Sequence, residues 1–340
     1  MKHNRRVVAA AAVGFLAFAA ISACSSTKSG SDADAKFKIG LVTKTDTNPY
    51  FVSMRNSAQE AAKKYGVELI SKAGTEDGDN DSQVTAIENL ETAGIKALLI
   101  VPNDSKAIVP TLIEAQKKGI YVIALDTQTE GNKGVDATFA TDNTQAGELQ
   151  GKYVKAALGS KSPQLAMLDL QPGISVGDQR HSGFLKAMGL DDTSREIVGK
   201  QSTQGDQAKG QQAMENMLQK SPGINAVYSI NEPAGIGGYQ ALKNAGKADQ
   251  AILGSIDGGC SGVQAVKNGI LAATVMQFPG KMASDGFKAA VDKVRNGKSI
   301  EVPASGYVNT GVQLITDKPI KGLESKDTTW GADNCWGGTS

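Results

Sequence analysis

The chain has 340 residues, 40% hydrophobic and 21% charged, and its 36 basic side chains against 35 acidic ones give a formal net charge of +1. This balance argues against nucleic acid or an anionic surface as a partner, because both select strongly basic proteins. The length leaves room for two domains of ordinary size, each with its own hydrophobic core.

The first 23 residues have the pattern of a secretory signal peptide. A basic start is followed by an uninterrupted apolar run over residues 7–21, which is shorter than the ~20 residues of a comfortable membrane span. The stretch Ile21-Ser22-Ala23-Cys24 resembles the lipobox of bacterial lipoproteins, so Cys24 is expected to carry lipid. An ordinary signal peptide with an incidental cysteine is the alternative.

Removal of residues 1–23 leaves 33 basic and 35 acidic side chains, a net charge near −2. Residues 24–35 are small and polar, which predicts a flexible linker. More than one acyl chain holds a protein durably at a membrane. The rest of the chain is therefore expected to be exported and lipid-anchored at the outer face of the cell membrane.

From residue 36 onward, apolar strand-like runs alternate with amphipathic helical patterns. Strands are predicted over 37–43, 67–72, 97–101, 121–125, 164–168, 226–230, 251–255 and 271–276. Helices are predicted over 51–65, 82–93, 108–118, 144–158, 177–188, 207–219, 234–245 and 282–296. This alternation predicts an α/β fold of βαβ units, with parallel sheets that are covered on both faces.

Polar residues follow most of these strands, at the end where parallel sheets bind their ligands. They include Lys44, Asn48, Asp126, Thr127, Asp169, Asn231, Glu232, Asp257 and Gln277. For any one of them taken singly, helix capping, which favours Asp, Asn, Ser and Thr, is the better explanation. The whole set, facing one crevice, predicts a binding site.

No motif of an enzyme, a metal site or a cofactor site stands out. The sequence has no phosphate-binding loop and no nucleophile elbow, and His181, the only histidine after the signal peptide, has no acid–base pair around it. The run Gly235-Ile236-Gly237-Gly238 lies in a helical pattern, which predicts close helix packing rather than a phosphate cradle. We therefore expect no catalytic residue, no metal and no cofactor.

Cys260 and Cys335 remain once Cys24 is assigned to the lipid. In an exported protein such a pair is most simply a disulfide, and two reduced thiols are the alternative. The bond would hold the tail around Cys335 against the body of the protein.

Several short motifs resemble, in order and spacing, the ribose- and fructose-binding proteins of bacterial ABC importers. The motifs are Ile39-Gly40-Leu41-Val42, Thr47-Asn48-Pro49-Tyr50-Phe51, Leu125-Asp126-Thr127-Gln128, Thr141-Asp142-Asn143, Asp178-Gln179-Arg180 with Gly183-Phe184, Tyr228-Ser229-Ile230-Asn231-Glu232, Ile256-Asp257-Gly258, and Leu271-Ala272-Ala273-Thr274 with Gln277. The resemblance covers nearly the whole chain after the linker. The surroundings of Cys260 and the tail Asn334-Cys335-Trp336-Gly337 resemble the fructose-binding-like branch more than the ribose branch.

The resemblance implies the type I periplasmic binding protein fold, with two doubly wound parallel-sheet lobes joined by three crossovers. Nothing in the sequence suggests a long exposed interface, so a monomer is expected. Such lobes close over a sugar by a hinge motion. The first lobe would comprise residues 36–141 and 278–306, and the second lobe residues 142–277 and 307–340.

The resemblance also implies a set of ligand-binding residues between the lobes. Their chemistry suits a polyhydroxy ligand, because carboxylates and amides accept hydrogen bonds from hydroxyls, arginine donates in a fixed fork, and an aromatic ring covers a C–H face. The implied residues are Lys44, Asn48, Tyr50, Phe51, Asp126, Asp178, Arg180, Asn231, Asp257 and Gln277.

One position departs from the pattern. Ribose-binding members of the resembled family carry arginine directly after the aspartate of the fourth strand, where this chain has Thr127. Loss of that guanidinium argues against ribose and favours a ketose such as fructose, or an open-chain sugar alcohol.

The resulting hypothesis is a solute-binding lipoprotein, without enzymatic activity, that delivers a monosaccharide or sugar alcohol to an ABC permease in the membrane. A sugar sensor that presents its ligand to a membrane receptor is an alternative. An exported sugar-active enzyme is a second alternative, weakened because no paired-carboxylate motif is evident. Sugar-responsive repressors share the resembled fold but begin with a DNA-binding segment, where this chain has its signal sequence.

Overall fold

The computed structural model describes residues 36–338. The predicted signal peptide, the linker and the lipidation site at Cys24 lie outside the described residues. None of the described helices combines the length and the apolar character that a membrane crossing requires.

Strands and helices alternate along most of the described chain. The strands are β1 (Lys38–Thr43), β2 (Glu68–Ala73), β3 (Ala97–Ile100), β4 (Tyr121–Leu125), β5 (Ala137–Ala140), β6 (Leu165–Asp169), β7 (Ile197–Ser202), β8 (Ala226–Ser229), β9 (Ile252–Asp257), β10 (Ala273–Met276), β11 (Val308–Asn309) and β12 (Gln313–Ile315). The helices are α1 (Pro49–Tyr65), α2 (Asn80–Thr92), α3 (Val109–Lys117), α4 (Asn143–Leu158), α5 (Ser175–Met188), α6 (Gln207–Lys220), α7 (Glu232–Asn244), α8 (Cys260–Lys267), α9 (Pro279–Asn296) and α10 (Thr328–Asn334).

The first lobe is built on a parallel sheet with the strand order β11-β5-β4-β3-β1-β2. Helices α1 and α9 cover one face, where Met54 and Phe287 pack with strand residues such as Leu99. Helices α2 and α3 cover the other face, where Leu90 and Leu112 are fully or almost fully buried. Because both faces are covered, β3 and β4 are apolar and buried along their whole length, as the sequence pattern predicted.

The second lobe is built on a sheet with the order β12-β10-β9-β8-β6-β7, in which only the short β12 runs antiparallel to its neighbour. Its main hydrophobic core joins Leu168 and Val227 of the sheet to helices that include Phe184 and Met214. The chain passes between the lobes after β5, after β10 and after β11.

The third passage lies later than the sequence indicated. Val308 and Asn309 pair with Phe139 and Ala140 of β5, so they belong to the first sheet. The expected start of the second lobe's last segment at residue 307 is therefore corrected to a position after Asn309. A two-residue strand carries no periodicity from which a sequence pattern can be recognised.

Helices α4 and α5 approach so closely that their backbones touch. A Cβ atom added to Gly147 would lie 2.1 Å from the carbonyl oxygen of Arg180, and one added to Gly183 would lie 2.3 Å from that of Thr144. The same contact recurs between α6 and α7, where a Cβ on Gly237 would lie 2.0 Å from the carbonyl oxygen of Gln207. The prediction that the glycine run at 235–238 serves helix packing is confirmed.

We expect Gly147→Ala to lower the free energy of unfolding by ~1–3 kcal/mol relative to a matched Gly280→Ala variant, because α5 must move to admit the methyl group. Gly280 also lies in a helix, but there the nearest atom is the hydroxyl of Ser57, which can rotate away. Urea denaturation of both variants measures the difference. Equal midpoints would show that the close contact between α4 and α5 is not required.

Candidate functional site

The polar ends of strands from both sheets line a single cavity between the lobes. The predicted residues that it brings together are Lys44, Asn48, Tyr50, Phe51, Asp126, Arg180, Asn231, Asp257 and Gln277. They lie at or just after the ends of β1, β4, β8, β9 and β10, or on α1 and α5. This is the arrangement expected where two doubly wound sheets face each other with their carboxyl ends.

Asp126 is held rigidly in the wall that the first lobe contributes. One carboxylate oxygen accepts a hydrogen bond from the Tyr50 hydroxyl at 2.9 Å, and the other accepts one from the Thr127 hydroxyl, also at 2.9 Å. Burial raises the pKa of Tyr50, and the charge of Asp126 raises it further, so the phenol stays a donor. The backbone of Asp126 has a φ of 61°, a strain on the order of 1 kcal/mol that recurs at binding sites.

Asn48 has two roles at this wall. Its side chain caps α1 by accepting a hydrogen bond from the backbone N–H of Tyr50 at 3.0 Å, and the residue also lines the cavity. The sequence alone left helix capping and ligand binding as alternative roles for such a residue. In the structure the cap fixes the orientation of Asn48, which also lines the cavity.

Lys44 faces a carboxylate that the sequence pattern missed. Its ammonium nitrogen lies 3.6 Å from Oδ1 of Asp77, and the two side chains are 2% and 11% exposed. Burial raises the pKa of Asp77, against the effect of the Lys44 charge. Asp77 lies in the loop after β2. It is therefore at the carboxyl-terminal edge of the parallel sheet, where the other predicted residues also lie.

Arg180 and Asp257 form the centre of the wall that the second lobe contributes. The Arg180 guanidinium donates to Asn143 Oδ1 at 2.8 Å and to the Ile230 carbonyl at 2.9 Å, and it lies 4.0 Å from Asp257 Oδ1. Asp257 also accepts a hydrogen bond from Gln277 Nε2 at 2.9 Å. Burial raises the pKa of Asp257 to about 7, and the nearby guanidinium opposes that rise.

Two buried acceptors at the cavity, Asp77 Oδ1 and Gln277 Oε1, have no hydrogen-bond donor among residues 36–338. The 3.6 Å contact between Lys44 and Asp77 is too long to count as a hydrogen bond. The space between the walls has a volume of about 30 Å³, enough for one or two water molecules. A larger ligand therefore enters only when the lobes move apart, and hydrogen-bond donors on that ligand could then pair with these acceptors.

Asp178 does not lie in this cavity, which corrects the set implied by the resemblance. Asp178 and Arg180 are two positions apart on α5, so their side chains point about 200° apart around the helix. Asp178 lines a separate cavity on the second lobe with His181 and Asp169. In that cavity His181 Nδ1 lies 2.9 Å from Asp169 Oδ1. Burial alone would lower the pKa of His181, but the carboxylates of Asp169 and Asp192 raise it overall.

Trp336 is a second residue that the sequence pattern missed. Its indole nitrogen donates to the carbonyl oxygens of Gln277 at 3.0 Å and Asp257 at 3.2 Å, and its ring meets the ring of Tyr50 edge-on at 5.3 Å between centroids. The sulfur atoms of Cys260 and Cys335 are joined in the structure. The tail thereby brings an aromatic ring from the second lobe against the first lobe, beside the site.

Glu232 ties the strand ends of the second lobe together. Its carboxyl accepts hydrogen bonds from the backbone N–H groups of Gly258 at 2.8 Å and Gly259 at 3.1 Å, and from the Thr274 hydroxyl at 2.6 Å. Burial raises the pKa of Glu232 to about 8, and the charge of Asp257 adds to the rise. The residue thus supports the backbone next to Asp257 and adds a second buried carboxyl beside it.

Comparison with known proteins is consistent over nearly the full described length. The family described as periplasmic binding protein domain matches residues 39–299. The ribose import binding protein RbsB of Bacillus subtilis (strain 168) is 34% identical over 290 residues, which cover 84% of this chain and 90% of that protein. The D-allose-binding periplasmic protein of Escherichia coli (strain K12) is 30% identical and is matched over 88% of its length and 79% of this chain.

A solved structure has the same architecture. The periplasmic solute-binding protein of an ABC transporter from Actinobacillus succinogenes 130z, crystallised with D-allose, superposes with a TM-score of 0.74 at 29% identity. The match covers 83% of this chain and 98% of that one. The predicted fold, two α/β lobes with mostly parallel sheets, is confirmed.

Proposed function

The chain belongs to the periplasmic binding protein domain family, and from that membership we propose that it is the solute-binding protein of an ABC transporter. In this proposal the protein binds a monosaccharide or sugar alcohol between its lobes and delivers it to a membrane permease. The observation that carries this proposal is the buried cavity in which Lys44 and Arg180 stand among the carboxylates of Asp77, Asp126 and Asp257. Such a mixture of fixed donors and acceptors matches the hydroxyls of a sugar better than an ion or an apolar solute.

Both lobes supply part of the binding chemistry. Asp126 and Lys44 belong to the first lobe, and Arg180 and Asp257 belong to the second, so a ligand that contacts all four stabilises the closed state. The rings of Tyr50 and Phe51 provide an apolar surface for C–H groups. The site residues have only binding and orienting roles in this proposal, and the protein is not an enzyme.

The ligand we propose is a ketose such as fructose, or a sugar alcohol. The names of the relatives specify ribose and allose, but Thr127 is fully buried and its hydroxyl donates to Asp126. It therefore holds the aspartate in place and offers no guanidinium fork to the ligand. This difference supports a ligand with another arrangement of hydroxyls than ribose.

Thermal unfolding of the purified protein with pentoses, aldohexoses, ketoses and C4–C6 sugar alcohols tests this function. A ligand at about 1,000 times its dissociation constant stabilises the folded state by roughly 4 kcal/mol, an easily measured shift. A shift with a ketose or alditol and none with ribose supports the proposal. A ribose-specific shift overturns the ligand assignment, no shift with any sugar overturns sugar binding, and conversion of the bound sugar to a product indicates an enzyme.

We also propose that lipid on Cys24 anchors the protein at the cell surface and that a permease in the membrane is its partner. A sugar sensor is the alternative, and reconstitution with a permease and its ATPase distinguishes the two. Sugar uptake into vesicles that depends on this protein supports transport.

We propose that the bond between Cys260 and Cys335 is a native disulfide, and we expect its loss to cost ~2–4 kcal/mol of unfolding free energy, because the bond restricts the unfolded chain across a sequence separation of 75 residues. Denaturant unfolding of Cys335→Ser, with and without reductant, measures the loss. The unaltered protein should respond to reductant and the variant should not. If reductant leaves the unaltered protein's midpoint unchanged, the cysteines are free thiols.

A further inference from the structure

The cavity lined by Asp126, Arg180 and Asp257 is called the sugar site here. A second, larger cavity adjoins it between the lobes. Its volume is about 530 Å³, against about 30 Å³ for the sugar site, and the two share Asn48, Asp77 and Asp257 as lining residues. This volume lies within the ~300–1,000 Å³ of pockets that take drug-sized ligands. The space between the lobes therefore extends well beyond the residues implied by the resemblance.

Residues that line the larger cavity make contacts from one lobe to the other. The Lys209 ammonium of the second lobe lies 3.1 Å from a carboxylate oxygen of Glu76 in the first lobe. Nearby, Gln204 Nε2 donates to the carbonyl oxygen of Asp77 at 3.3 Å. All four residues line the cavity, so the lobes already touch beside it.

The lobes also touch at a second group of residues, which are not among those lining the larger cavity. The backbone N–H of Ser105 donates to the Gly173 carbonyl at 3.0 Å, and Gln179 Nε2 donates to Gln128 Oε1 at 2.7 Å. With both groups in contact, the 530 Å³ volume is not simply the gap between widely separated lobes. With the lobes in contact, the larger cavity has room for a sugar ring, whereas the site with Asp126, Arg180 and Asp257 must widen to accept one.

The lining of the larger cavity combines flat apolar surface with polar groups. Trp336, Pro233 and Ile236 supply the apolar part, while Asp206 and Lys209 supply charged donors and acceptors. A sugar ring has the matching two-sided character, with C–H groups on its faces and hydroxyls at its edge. A half-buried tryptophan offers a large contact area with little loss of side-chain freedom.

From this juxtaposition we infer that the protein binds an O-glycoside, with one sugar unit among Asp126, Arg180 and Asp257 and a second unit in the cavity beside Trp336. The inference rests on the proposed function, because it requires the first unit to occupy the sugar site. It goes further by adding a second sugar unit to the one in that site, so that a disaccharide is the ligand that uses the whole space between the lobes.

Isothermal titration calorimetry with the full protein tests the inference. The probes are D-fructose, D-allose and D-ribose, and disaccharides in which a glucosyl unit is linked to each hydroxyl of these sugars in turn. We expect at least one disaccharide to bind about tenfold more tightly than its parent monosaccharide. If a monosaccharide binds and all of its disaccharides bind more weakly, the inference is overturned and the proposed function stands. If no probe binds, the inference is overturned, and the thermal-unfolding panel, which also contains sugar alcohols, decides the proposed function.

A cavity-filling variant shows where the second unit lies. Ser261 is exposed and lines the larger cavity but not the sugar site, so Ser261→Trp should weaken disaccharide binding at least tenfold and change monosaccharide binding less than twofold. Gln264→Trp, at an exposed position of the same helix outside the cavity, is the matched control and should change neither. Equal weakening of both ligands by Ser261→Trp, or no weakening of either, contradicts the assignment.

Discussion

The Arg180→Ala protein is expected to bind its sugar at least ~100-fold more weakly than the unaltered protein. A hydrogen bond to a charged group contributes ~1.5–3 kcal/mol, and the substitution removes a charged side chain that is only 4% exposed. It also leaves Asp257 without its nearest cation, which raises the cost of holding that carboxylate in the closed site. Calorimetric titration with the sugar identified by thermal unfolding measures the loss.

Two further variants separate binding from folding. Lys186→Ala removes an exposed cation from the same helix and should leave affinity within about twofold. Arg180→Lys retains the charge but not the planar fork, so its affinity should lie between those of the alanine variant and the unaltered protein. If Arg180→Ala remains folded and binds normally, the proposed site is wrong.

Glu232 should make the protein less stable as the pH rises from about 5 to about 8. Its pKa is raised from 4.5 to about 8 in the folded state, chiefly by burial, so the folded protein binds this proton more tightly than the unfolded chain does. The stabilisation that comes from binding this proton is fully present below the pKa of Glu232 in the unfolded chain. It is lost as the pH rises through the pKa of Glu232 in the folded protein. Asp257, with a pKa of about 7, acts in the same direction.

The Glu232→Gln variant should flatten this pH dependence, because glutamine resembles the protonated acid and does not titrate. Urea midpoints measured at intervals from pH 5 to pH 9 give the slope, which is the informative quantity, since the amide also alters the hydrogen bond from Gly259 at every pH. Glu60→Gln, at an exposed position on α1, is the control and should keep the original slope. An unchanged slope in Glu232→Gln would show that this carboxyl is ionised throughout the range.

The sequence was most informative where burial imposes a pattern. Strands covered on both faces are continuous apolar runs, and this located β1, β3, β4 and β8 to within a residue or two. The strand β7 was missed because it lies at the sheet edge and is half exposed, so its residues form no apolar run. β5 was missed because Phe139 is the only large apolar residue among Ala137–Ala140, so the segment shows no continuous apolar run of the kind seen in β3.

The site was partly predictable for the same reason. Residues placed by strand ends, such as Asp126 and Asp257, follow from the topology of a parallel sheet. Asp178 was misplaced because its face on α5 depends on how that helix is rotated against α4, which close contacts at Gly147 and Gly183 determine. Trp336 was missed because it reaches the site from a distant tail, and only the folded structure brings that tail to Tyr50.

The position of α9 means that the protein is not completed in the order in which it is synthesised. This helix covers the first sheet, yet it begins at Pro279, after nearly all of the second lobe has been made. Until then a nascent chain carries an apolar face around Leu125 and Phe139 that has no cover. The amino-terminal lobe is therefore completed only after most of the second lobe has been made, and a chain that stops at Gln277 would carry the main core of the second lobe beside an exposed, aggregation-prone first one.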